Sequence, residues 1–238
     1  HYTNSPPQQW SEQFAVCCEA MCEHLNPDVL HLDSFDRERV WWPGKAKRVA
    51  VTMHGTAWGA WLTDVNLMII GARNGDAPSF PEAPLRQVAA EAGALRNANT
   101  VIGISRWEYR ILRDHYRLPQ AKLVYNPIAQ YFFIDNLQTE IGPELEVKRR
   151  PKERTYFLCP SISQGVKRGF DAATRAGAKA GVPVWCPTGV PRDKMPAEYD
   201  KAIALLLPTA FAQGYDLSVA EARARGVPAI LGATGSYL

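Results

Sequence analysis

The sequence predicts an α/β protein in two halves, each a parallel sheet covered by helices on both faces. Three observations carry this. Short β-branched runs alternate with helix-period segments along the chain, the pattern of strand–helix–strand crossovers. The runs are near-continuously apolar, as strands buried on both faces are. A stretch without periodicity, residues 131–152, interrupts the alternation. The expected division is therefore residues 1–130, a linker over 131–152, and residues 153–238. With 238 residues, 46% of them hydrophobic and 21% charged, the chain is longer than one average domain and shorter than two comfortable ones, can fill a core, and is not a disordered polypeptide.

The first half opens with a helix-period stretch in which Cys17, Cys18 and Cys22 accompany Phe14, Met21 and Leu25, reading as small core residues. His24 would complete a nominal metal cluster. Adjacent cysteines point about 100° apart on a helix, however, and no second ligand pair follows, so no metal site is expected. Strands are expected at Val29–Asp33, Arg48–His54, Thr100–Ser105 and Lys122–Asn126. Between them, Leu85, Val88, Ala89, Ala92 and Leu95 recur at helical spacing, and Trp107, Ile111 and Tyr116 form a further face. Ser105, with Glu108 three residues on, reads as a helix N-cap. The second half repeats the scheme with strands at Thr155–Pro160, Val182–Cys186, Ala202–Pro208 and Pro228–Leu231. Cys159 and Cys186 end two of these runs and read as buried free thiols.

No apolar run reaches the roughly 20 residues that span a bilayer, and no basic-then-apolar leader pattern opens the sequence, so a soluble, cytoplasmic protein is expected. The net charge of +3 falls entirely in the C-terminal part, much of it in Lys148–Arg154. That run reads either as a solvated hinge or as a contact for a polyanion such as DNA.

In open α/β sheets ligands bind where strands end and helices begin. That rule selects Asp33, His54-Gly55, Ser105, Asn126-Pro127, the Ser161–Arg168 loop and the segment Pro208–Glu221. The last combines a buried strand, a turn at Gly214, a helix opening near Asp216–Ser218 and closing at Gly226, and a second strand. A helix starting beside a strand end offers free N–H groups to phosphate. Two readings of Glu221 stay open: a ligand-binding carboxylate, or the partner of Ser218 in a capping box.

The same segment resembles the donor-sugar region of family-4-type retaining glycosyltransferases of the GT-B fold. Pro208-Thr209, Gly214-Tyr215, Leu217, Glu221-Ala222, Ala224, Gly226 and Pro228 follow that family's signature in order. Pro27–His31, Met53-His54-Gly55, Ala98–Ser105, Lys122–Ile128 and Gly165–Asp171 are similar to further family motifs, so the resemblance runs collinearly over most of the chain. It implies two facing Rossmann-like domains: an acceptor-side domain over 1–130 and a nucleotide-sugar-binding domain over 153–238, with His54 and Glu221 on a shared cleft.

The resemblance further implies metal-independent, retaining transfer of a sugar from a nucleotide-diphosphate donor to an acceptor hydroxyl. No cofactor is implied beyond the nucleotide sugar as co-substrate, and the sequence has no Asp-x-Asp triplet. Lys167, possibly helped by Arg168, would neutralise the diphosphate, and His54 would meet the transferred sugar or an acceptor hydroxyl. Gln213 would face the sugar, and Glu221 would accept from the ribose. Thr209, Gly214, Tyr215, Leu217 and Ser218 would complete the donor site. Two departures stand out. Gln213 occupies the first position of the family's glutamate pair, eight residues before Glu221, and Asp216 replaces a glycine. Asp216 would then supply the missing negative charge. The alternatives are an inactive nucleotide-sugar-binding module, or a polyanion- or DNA-associated protein, the latter extending to an enzyme that glycosylates modified DNA.

Overall fold

The computed structural model describes residue 17 and residues 20–33, 47–73, 85–133, 153–160, 169–210 and 216–234. It contains two four-stranded sheets, every strand pair parallel. One unit runs to Tyr125 and the other comprises the described residues from Asn126 onward.

The first sheet takes β1 (Leu30–Asp33), β2 (Val49–Met53), β3 (Thr100–Gly103) and β4 (Ala121–Leu123) in sequential order. All four fall within the expected runs or overlap them. Val49, Val51, Met53 and Val101 point into a core shared with Ala92 and Leu95 of the Leu85–Leu95 helix and with Ile111, Leu112 and Tyr116. A 17-residue helix, Ala57–Arg73, leads away from β2.

The helix faces differ in part from the sequence reading. Ala92 and Leu95 are buried as expected, but Leu85 and Ala89 are exposed and Glu91 takes an inner position instead. Of the cysteine stretch, Cys22 is buried, whereas Cys17, Met21 and Leu25 are exposed. Phe14 and Cys18 lie outside the described residues. Ser105 caps the Arg106–Arg110 helix, its Oγ accepting from Glu108 N at 3.1 Å, while Glu108 Oε2 accepts from Ile104 N at 3.0 Å. That helix widens into a π turn over Ile111–His115, closed by Tyr116 N to Ile111 O at 2.9 Å.

The second sheet has the order β6-β5-β7-β8, with β5 Tyr156–Leu158, β6 Val184–Trp185, β7 Ala202–Leu207 and β8 Ala229–Leu231. β7 is the most deeply buried strand, as its uninterrupted Ala-Ile-Ala-Leu-Leu-Leu sequence requires. Its core includes Phe132, Leu158, Tyr199, Leu205, Leu207, Ala222 and Val227. Phe132 sits in the expected linker range but is fully buried in this core. The Leu217–Ala224 helix ends as its sequence foretells: Gly226 has φ +66°, its N–H reaches Arg223 O, and Val227 N reaches Ala222 O at 2.8 Å. This is a Schellman closure whose apolar partners, Val227 and Ala222, are both buried. Cys159 is buried as expected, while Cys186 is only half-buried. No helix among the described residues is long and apolar enough to cross a membrane.

Candidate functional site

In the first unit, β1 and β2 end side by side with Asp33 opposite Thr52, and His54 follows two residues later. His54 Nε2 and Asp33 Oδ1 lie 2.7 Å apart. An ionised carboxylate only accepts, so Nε2 carries the proton of this bond. Both side chains are open to solvent, at 41% and 75% exposure. The bond to His54, reinforced by its charge, holds the Asp33 carboxyl below its ordinary value. Beside this pair, His31 Nε2 lies 2.7 Å from Thr52 Oγ1.

The helix that starts after His54 has its first amides taken up internally. Ala57 N donates to Glu91 Oε2 at 2.7 Å and Gly59 N to Thr56 Oγ1 at 3.0 Å. Tyr116 OH donates to the same Glu91 oxygen at 2.5 Å. Burial, then the Glu91 charge, push the Tyr116 hydroxyl far up, so it stays a donor. This helix start is satisfied by its own protein and is not the place for a phosphate.

In the second unit the strand order reverses direction at β5, with β6 on one side and β7 on the other. Such a switch point opens a crevice at the carboxyl ends of its strands. There Leu207 leads into Pro208 and the buried Thr209, whose carbonyl accepts from Thr234 Oγ1 at 3.3 Å. Two glycines allow the backbone to crowd this end. A Cβ on Gly169 would stand 2.1 Å from Pro208 O, and one on Gly232 would stand 2.6 Å from Thr209 O.

The Leu217–Ala224 helix begins beyond that strand end. Its N-cap is Asp216, whose Oδ1 accepts from Ser218 N at 2.9 Å. The capping pair is therefore Asp216 with the Ser218 amide, and the capping-box reading of Ser218 with Glu221 is set aside. Glu221 faces inward at 5% exposure. Arg192 donates to its Oε1, and Tyr199 OH donates to its Oε2 at 3.0 Å. Burial raises the Glu221 carboxyl above its ordinary value, with Arg192 and the Tyr199 hydroxyl pulling back and the Asp216 charge adding to the rise. Each carboxylate oxygen keeps lone-pair capacity for a further donor, and Arg192 is 57% exposed.

Thr209, Asp216, Leu217, Ser218 and Glu221 thus belong to one unit, on β7's outgoing end and the helix after it, while His54 stands at a strand end of the other. Lys167, Arg168, Gln213, Gly214 and Tyr215 lie outside the described residues. Residues 148–152 of the basic run do too; Arg154 spends one guanidinium nitrogen on Gly226 O at 3.2 Å. Sequence reasoning missed Arg192 and Tyr199, and it noted Asp33 only as a strand end. Arg192 has no distinguishing spacing, and Tyr199 reads as an ordinary core aromatic. Among the described residues no group of three or more His, Cys, Asp or Glu is placed to hold a metal ion.

No protein-family model matches the chain, and no curated protein matches it. Solved structures do. Sucrose-phosphate synthase from Thermosynechococcus elongatus is similar with a TM-score of 0.64 and 16% identity, over 98% of this chain and 63% of that one. A glycosyltransferase from Rickettsia africae is similar with a TM-score of 0.54 and 13% identity, over 99% of this chain and 65% of that one. The chain spans just under two thirds of the length of either. At these identities the likeness establishes the fold, a GT-B-type α/β architecture with two parallel sheets.

Proposed function

We propose that this chain is a metal-independent, retaining glycosyltransferase that moves a sugar from a nucleotide-diphosphate donor to an acceptor hydroxyl. The observation that carries the reading is the switch point of the second sheet. Its strand end at Pro208-Thr209, the Asp216-capped helix and the buried Glu221 gather where such sheets bind ligands. Of the structural neighbours, one is a glycosyltransferase and one a sucrose-phosphate synthase by name, which supports sugar transfer over mere nucleotide binding.

The donor ribose would lie against Glu221, which accepts from its hydroxyls. Lys167 and Arg168 would meet the diphosphate, so that negative charge developing on the leaving group is neutralised. The acceptor hydroxyl oxygen forms its bond to the anomeric carbon on the face from which the nucleoside diphosphate departs. Its proton passes to the departing phosphate oxygen, so no protein nucleophile is needed. His54 would meet a sugar hydroxyl.

The test is release of nucleoside diphosphate from a panel of UDP-, GDP- and ADP-sugars offered sugar and sugar-phosphate acceptors, with and without EDTA. Product of retained anomeric configuration, made at the same rate in EDTA, supports the reading. Failure of every donor to turn over, or to raise the melting temperature, sinks it.

A further inference from the structure

Nothing in the family signature accounts for Asp33, and we propose that it is the positioning residue of an Asp33–His54 pair that presents His54 Nδ1 to an uncharged sugar hydroxyl. This inference rests on the reading of the chain as a glycosyltransferase. The geometry supplies each step. The 2.7 Å contact joins His54 Nε2 to a carboxylate oxygen, and a carboxylate that only accepts forces the proton onto Nε2. Neutral imidazole then carries its acceptor lone pair on Nδ1, which has no partner among the described residues. Of the two ring nitrogens, the one left for a substrate is an acceptor, and a sugar hydroxyl is the matching donor.

The neighbourhood also selects against charge. With the proton on Nε2 and the ring neutral, an anionic group approaching Nδ1 finds no donor there and faces the Asp33 carboxylate across the ring. The first amides of the following helix are already bonded to Glu91 and Thr56 and cannot offset it. A hydroxyl-bearing part of the substrate is therefore the chemical match for this pair, and a phosphate is not. A purely structural role is less suited to two side chains this exposed, 41% and 75%, since an open polar contact contributes little stability.

The test is nitrogen-15 NMR of the histidine side chains at a pH where His54 is neutral. The chain has five histidines, and His54 is assigned by the signals that vanish in His54→Gln. The expected wild-type spectrum shows the Nε2–H tautomer, and Asp33→Asn keeps it because the amide oxygen still accepts. Asp33→Leu redistributes the proton between the nitrogens and lowers kcat/KM for sugar transfer by roughly 10- to 100-fold, the worth of one hydrogen bond to a charged group. Asp33→Asn recovers most of that loss. Saturating UDP-glucose, or whichever panel sugar turns over, should shift the Nδ1 resonance. A wild-type Nδ1–H tautomer, or a tautomer ratio unmoved in Asp33→Leu, overturns the pairing. An Nδ1 resonance indifferent to a sugar that the enzyme turns over overturns the substrate contact while leaving the glycosyltransferase reading intact. Absence of any transfer by the wild type overturns that reading itself, and with it the sugar contact.

Discussion

Gly169 packs against Pro208 so tightly that a Cβ on the glycine would stand 2.1 Å from the Pro208 carbonyl oxygen. The contact joins the start of the Phe170–Ala180 helix to the outgoing end of β7, the two pieces of backbone that frame the switch point of the second sheet. Gly169 also has φ +74°, a left-handed conformation that costs other residues roughly 1–2 kcal/mol. Two independent reasons thus demand glycine at this place.

The first prediction separates those reasons. Gly181, at the other end of the same helix, has φ +66° but open space where its Cβ would go. Gly181→Ala should cost about 1 kcal/mol, from conformation alone. Gly169→Ala adds a backbone clash and should cost roughly 2–4 kcal/mol, with weakened nucleotide binding if the strand end moves. Urea midpoints of the two variants measure the difference. Equal losses would mean that the Pro208 contact relaxes freely.

A second prediction follows from the burial of Glu221, whose carboxyl is raised above 4.5. The folded state then holds this proton more tightly than the unfolded chain does. The resulting stability is fully present below about pH 4.5 and is lost as pH rises through the elevated folded value. Glu221→Gln cannot ionise, so this part of the pH dependence should be missing from it. Measured by urea unfolding, the wild type should lose stability relative to Glu221→Gln between pH 4.5 and pH 7. A constant difference across that range would show that Arg192 and Tyr199 fully offset the burial of the charge.

The strand runs were most legible where a strand is buried on both faces and so continuously apolar, and Ala202–Leu207 is the plainest case. The Gly226 closure was legible because few residues other than glycine adopt φ +66° there. Glu91 was not, since a carboxylate at an inner helix position has a reason only in its partners, Ala57 N and Tyr116 OH, which lie 34 and 25 residues away. The same holds for the site. Glu221 was singled out by its place in the family-like signature, eight residues after Gln213, whereas Arg192 and Tyr199 reach it from a turn and a helix whose sequences give no such signal. Leu85 was misassigned to the inner face because helical periodicity marks a stripe without saying where the stripe stops being covered.

The third prediction concerns the diphosphate. Lys167→Ala should weaken binding of a nucleoside diphosphate by roughly 1.5–3 kcal/mol, the range for a hydrogen bond to a charged group, with the melting temperature of the free protein unchanged. Isothermal titration decides it. Unaltered affinity would remove Lys167 from the diphosphate site.

The last prediction asks whether Asp216 has taken over the charge that Gln213 lacks. Asp216 Oδ1 caps the Leu217–Ala224 helix through Ser218 N, and its charge reaches both Tyr199 and Glu221. Asparagine caps a helix about as well as aspartate, whereas alanine forfeits about 1 kcal/mol. Asp216→Asn therefore removes the charge and keeps the cap, while Asp216→Ala removes both. If the carboxylate stabilises positive charge developing on the sugar ring, Asp216→Asn should lower turnover at nearly wild-type stability, and by more than Gln213→Ala does. Nucleotide affinity should stay within a few-fold in both variants. Glu221→Ala should behave differently, weakening nucleotide binding because its proposed partner is the ribose. Turnover, titration and urea unfolding on the same four variants distinguish these roles. Asp216→Asn with full turnover, beside an Asp216→Ala variant that loses only stability, would reduce Asp216 to a helix cap and return the missing charge to an open question of chemistry at Gln213.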